Sequence, residues 1–189
     1  MGVFFVRFPN ETLGRITGIV AKEFLIVEGD GVSTIEQLIC KNPRFAFQLQ
    51  AIKKDTTILM EEVMEPHEKR NLVPFGNHAR GAKFIDASHW ITPKLTATFN
   101  EICSQIDGFY FGRLDVMYQS ISDLEMGQHF SIVEINGAGS EPTHIYDPKH
   151  SLFFAWKELA RHITYMFRIS KQNHELGSRK FRATARNYL

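Results

Sequence analysis

Two stretches near the middle of the chain, Gly108–Tyr118 (GFYFGRLDVMY) and Phe130–Asn136 (FSIVEIN), constrain its folding most. Both carry the apolar and polar alternation of a half-buried strand. Residues two apart on a strand share a face, so Arg113 goes with Asp115, and Glu134 goes with Asn136. The connection between the stretches is short and polar, which predicts an antiparallel hairpin. One cation, two carboxylates and one amide oxygen would then lie on a single sheet face, and Gly112, without a side chain, permits close approach beside them. Oxygen ligands next to a fixed arginine suit magnesium carrying a polyphosphate. The same residues also have a plainer reading, in which Glu134 is the exposed face of a half-buried strand and Asn136-Gly137 is a favoured turn pair.

The 189 residues carry a net charge of +1 and are 43% hydrophobic, enough for one filled core with a small appendage and not the composition of a disordered chain. Near-neutral charge argues against a nucleic-acid partner. No apolar run reaches the roughly 18 residues of a membrane span, and Gly2–Phe8 is too short for a signal sequence, so a cytoplasmic protein without a membrane partner is expected. Cys40 and Cys103 lack metal-like spacing and sit in apolar stretches, which predicts buried, reduced thiols.

In chain order, Gly2–Phe8 reads as a strand that begins abruptly, hinting at sequence upstream and at an exposed edge able to drive self-association. Arg15–Ala21 and Phe24–Glu28 extend it into a meander. After the Gly29-Asp30-Gly31 turn, Ser33 and Glu36 form a capping-box signal for a helix running to about Cys40. Asn42-Pro43 opens another, through Phe45, Leu49 and Ile52. Lys53–Arg70 reads as a surface excursion with one helical turn around Leu59–Val63, followed by strands at Asn71–Phe75 and Lys83–Asp86. The glycine-bracketed loop between them, with Asn77 and Arg80, is either a polar hairpin tip or a source of donors to an anion. Thr92-Pro93 starts a helix through Leu95, Phe99, Ile102, Cys103 and Ile106, spaced for one buried face. Ser151–Ile169 predicts a long amphipathic helix whose aromatics pack across the sheet, and the basic stretch from Lys171 reads as a frayed tail. One core domain is therefore expected over residues 1–169, with a tail over 170–189.

Four segments, in this order and spacing, carry a resemblance: GDGVSTIEQLI (Gly29–Ile39), GNHARGAKFID (Gly76–Asp86), GFYFGRLDV (Gly108–Val116) and VEINGAGSEPTHIYDP (Val133–Pro148). Together they resemble the C-terminal core of the ATP-grasp carboxylate-amine ligases, in the cyanophycin synthetase-like and D-alanine:D-alanine ligase-like branch. The resemblance implies an α+β fold, mostly antiparallel sheet flanked by helices, with the lid and N-terminal domains missing. It implies a reaction in which ATP phosphorylates a carboxylate and an amine displaces phosphate to form an amide, with Mg2+ (or Mn2+) as cofactor. Asp115, Glu134 and Asn136 match the metal ligands of such enzymes and Arg113 matches the catalytic arginine. Asn77 and Arg80 match a phosphate or substrate loop, Val133 the apolar floor under adenine, and Ser140 and His144 the acceptor-substrate region. The departures are the absent lysine-bearing lid and the absent double glycine in the Gly76–Gly81 loop. They leave open a non-catalytic metal- or nucleotide-binding remnant, or an interaction module, and a missing lid domain as partner.

Overall fold

The computed structural model describes residues 1–55, 57–72 and 83–177 of the chain. The elements in order are β1 (Gly2–Val6), β2 (Arg15–Glu23), β3 (Ile26–Glu28), α1 (Ile35–Lys41), α2 (Pro43–Ala46), α3 (Leu49–Ile52), β4 (Lys69–Asn71), β5 (Lys83–Asp86), α4 (Pro93–Ser104), β6 (Phe111–Tyr118), α5 (Ile121–Glu125), β7 (Phe130–Asn136) and α6 (Leu152–Glu175). They fall into two compact units, one of Met1–Ala21 with Asp86 onward and one of Lys22–Ile85. The class is α+β, with helices beside a mainly antiparallel sheet. No described helix is long and apolar enough to cross a membrane.

The main sheet runs β5-β2-β1-β6-β7, and the chain passes between the units along β2 and β5. Its centre is β1, whose sequence GVFFV is buried at every position. An unbroken apolar run without alternation is what a strand covered on both faces requires. Val3 and Phe5 point to one core, and Phe4 and Val6 point to the other. The exposed edge expected at Gly2–Phe8 is therefore absent, because β1 pairs antiparallel with β2 on one side and with β6 on the other.

The larger core lies between the sheet and α4. Thr92 caps that helix by accepting from the Leu95 amide, Pro93 fills its first turn, and Leu95, Phe99 and Cys103 face inward, with Ile102 and Ile106 packed partly buried against the same core although the helix ends at Ser104, before Ile106. Burial pushes the Cys103 thiol up to about 12, so it stays protonated and inert. Cys40, in contrast to the expectation, is exposed.

On β2, Phe4 pairs with Gly18 and Phe5 with Ile16, leaving Thr17 as an extra residue. That bulge lets Ile16 and Ile19, three apart, both enter the larger core, which a regular strand would forbid. The opposite face carries Phe4, Val6, Phe8 and Phe111 against Ile169 of α6.

The second unit pairs β3 with β4 and buries Leu25, Val27, Ile35, Ile39 and Met64. Its α1 starts one residue later than expected, with Thr34 and Gln37 forming the capping box. Ser33 is drawn away because its amide and hydroxyl both donate to Asp30, at 2.6 and 2.8 Å. The helix expected from Asn42 to Ile52 is two short ones, broken at Phe47 and Gln48. No helix forms at Leu59–Val63; Val63 bridges to Thr34 and Met64 fills the core. Of the strand expected at Asn71–Phe75, Asn71 is the last residue of β4 and Leu72 is outside it, and residues 73–82 lie outside the described part.

Three further differences concern the first unit. The connection between β6 and β7 holds the helix α5, capped by Ser120, where a plain hairpin was expected. The first of these strands starts at Phe111, later than Gly108. Finally, α6 continues through Lys171–Glu175, because this stretch is rich in good helix formers and joins Lys171 to Glu175 across one turn.

Candidate functional site

The strand pairing decides whether the four polar residues meet. Arg113 lies directly opposite Asn136, and Asp115 directly opposite Glu134. Directly paired residues share a face at Cβ separations of about 4.5–5.5 Å, so all four side chains rise from the same side of the sheet. It is the side of Phe4, which pairs with Arg113, and farther along it is the side covered by α6. The expected juxtaposition is present.

The register then shifts: Val116 pairs with Ile132, which leaves Val133 as an extra residue beside Glu134. The bulge turns Val133 out to solvent, 64% exposed, next to the carboxylate face. Within the group, Arg113 Nε donates to Asp115 Oδ1 at 2.9 Å and Nη2 donates to Oδ2 at 3.4 Å. This two-point pair is mostly buried, whereas Glu134 is exposed. The Asn136 Nδ2 is buried and has no hydrogen-bond partner.

These donors fit a hard cation of the magnesium type. Among the described residues no group of three His, Cys, Asp or Glu side chains comes together to cage a metal. Two carboxylates and an amide oxygen leave coordination positions for phosphate oxygens and water, which is how magnesium is held beside a nucleotide. The orphaned Asn136 Nδ2 is a donor that a phosphate oxygen, and not the cation, would satisfy.

Gly112 is what lets the strands close here. A Cβ at that position would press on the Asn136 carbonyl and the Phe109 ring, well inside contact distance. Because the first obstacle is backbone, Gly112→Ala is expected to push β7 away from β6 and to cost about 1–3 kcal/mol by overpacking. Chemical denaturation measures this, and a stabilised variant would mean that the Asn136 backbone yields freely.

The remaining sequence candidates distribute as follows. Asn77 and Arg80 lie outside the described residues. Ser140 closes the turn after β7, its hydroxyl donating to the Gly137 carbonyl at 2.8 Å. His144 is 3% exposed, and its ring occupies the space above Gly18 that a side chain there would fill.

His144 belongs to a buried polar cluster that sequence reasoning missed. Its Nε2 lies 3.5 Å from Oε2 of the buried Glu158 on α6, which also accepts from Arg161 Nη2 at 2.5 Å. Arg161 donates to the Thr17 carbonyl at 3.0 Å, and His162 Nε2 meets the Thr17 hydroxyl at 2.9 Å. The bulged residue of β2 is thus where α6 is pinned. Asp86 continues the network, 2.7 Å from His150 Nε2. Burial works against the Asp86 carboxylate, but the Ser88 side chain and amide and His150 outweigh it and hold its carboxyl below the usual range. Glu158 and His162, one turn apart on a helix, were a readable signal. Asp86 lies far along the chain from His144 and His150, and its place beside them left no such signal.

No family model matches the chain, and no curated protein matches it. Among solved structures it is similar to a bifunctional glutathione synthetase from Pasteurella multocida, at 15% identity and a TM-score of 0.48. That match covers 77% of this chain and 22% of the other, so the chain spans about a fifth of that protein's length.

Proposed function

We propose that this chain carries the magnesium-nucleotide half of an ATP-dependent carboxylate-amine ligase. The observation that carries the reading is the register of β6 against β7, which sets Asp115 opposite Glu134 and Arg113 opposite Asn136 on one face. In this reading Asp115, Glu134 and the Asn136 amide oxygen hold the cation, which when bound neutralises charge on the nucleotide phosphates. Arg113, held in place by Asp115, faces the phosphoryl group in transfer and balances its negative charge. A carboxylate oxygen attacks the γ-phosphorus, ADP leaves, and an acylphosphate forms. An amine nitrogen then attacks the acyl carbon, phosphate departs, and the nitrogen loses a proton to leave an amide. Val133, exposed beside Glu134, offers an apolar contact for the adenine.

Mg-ATP titrated calorimetrically into the wild-type chain and into an Asp115→Asn, Glu134→Gln double variant tests the site. Hydrogen bonds and contacts to charged groups contribute about 1.5–3 kcal/mol each, so affinity is expected to fall at least about tenfold. Equal heats for the two proteins would sink the assignment. Binding without phosphate release in the presence of carboxylates and amines would leave a nucleotide-binding module in place of a ligase.

A further inference from the structure

Helix α6 was expected to turn its aromatics onto the sheet, and it does so with only some of them. Phe154 and Tyr165 are half-buried, and Glu158, His162 and Ile169 are buried. Phe153, Trp156, Ile163 and Phe167 instead face solvent, at 78, 56, 58 and 68% exposure. With the exposed Ala160 between them, these residues are spaced three, four, three and four apart. That is the a/d repeat of a helix seam that packs against another helix. Phe153 and Trp156 already pack edge to face, their ring centroids 5.7 Å apart.

We propose that this stripe is the surface through which two copies of the chain associate, α6 against α6 in antiparallel order. The area is of the right size. At the stated exposures, with whole aromatics burying about 150–250 Å² each, the stripe and the neighbouring Leu152 offer on the order of 600 Å² of apolar surface per copy. A stable interface takes about 800 Å² per partner, of which the apolar stripe alone offers roughly three quarters. The central part of the stripe, from Trp156 to Phe167, is also complementary to itself. Antiparallel a-to-d layers put Trp156 against Phe167 of the partner subunit and the small Ala160 against Ile163 of the partner subunit, each twice about the dyad. Lys157, on the flank, falls opposite Thr164 of the partner subunit, so no like charges meet there. A membrane surface suits this stripe less well. An interfacial helix presents a charged face away from the lipid, whereas the far side of α6 is docked on the sheet.

The test is sedimentation velocity of the full chain over a wide micromolar range, beside a Trp156→Glu, Phe167→Glu variant. Both substituted positions are exposed, so the variant should keep its far-ultraviolet circular dichroism. The wild type is expected to approach twice the chain mass, and the variant to stay single with a dissociation constant raised at least about a hundredfold. A wild type that stays single throughout, or a variant that dimerises as well as the wild type, would overturn the proposal. So would phosphatidylcholine vesicles that capture a monomeric wild type and release the variant, which would assign the stripe to lipid.

Discussion

Phe99→Ala is expected to destabilise the first unit by about 3–5 kcal/mol, the range for truncating a large aromatic side chain in a packed core. Phe99 is fully buried at the centre of α4, among Val3, Phe5 and Leu114 of the sheet and Leu95 of its own helix. Removing the ring forfeits its transfer out of water and leaves a void that central, doubly paired strands cannot collapse to fill. The denaturation midpoint measures the loss. Phe47→Ala is the control, because Phe47 is 86% exposed and its truncation should stay within about 0.5 kcal/mol. Equal losses at the two positions would mean that α4 does not organise the core.

That core was legible in advance because Thr92-Pro93 and the spacing of Leu95, Phe99 and Cys103 are local signals that tertiary packing reinforced. Where local signals competed, the reading slipped. Ser33 and Thr34 both suit a helix N-cap, and only the three-dimensional position of Asp30 decides between them. Bulges were illegible for a different reason. An extra residue at Thr17 or Val133 breaks the period of two without leaving a mark in composition. On α6 the fault lay in treating every aromatic as core. The helix is anchored by Glu158, Arg161 and His162, which composition assigns to solvent, while five large apolar residues stay outside.

The candidate site was more legible than its surroundings, since face sharing on a strand needs only parity and pairing. Arg113 with Asp115, and Glu134 with Asn136, follow from parity alone. That the two pairs lie directly opposite one another is set by the Gly112 close approach and the bulge at Val133, which precede any chemistry.

The polar cluster under α6 makes stability depend on pH between neutrality and about pH 4. Burial pushes His144 down from 6.5 to about 4, against the pull of Asp86 and with Arg161 and His150 adding to the fall. His162 is also lowered, again chiefly by burial. A histidine that is neutral when folded binds fewer protons than the unfolded chain does between these two values. Stability therefore rises with pH across that window and is lost as pH falls through it. At about 1.4 kcal/mol per pH unit, His144 alone accounts for roughly 3 kcal/mol between pH 7 and pH 4. The depressed carboxyl of Asp86 titrates below the ordinary 3.8, outside the window. Equilibrium denaturation of wild type and His144→Gln at a series of pH values separates the contributions. The wild type should lose stability steadily from about pH 6.5 downward, and the variant should retain only the shallower slope of His162. A flat wild-type profile would show that His144 takes up its proton in place, forming an ion pair with Glu158, and that α6 stays docked through acidification.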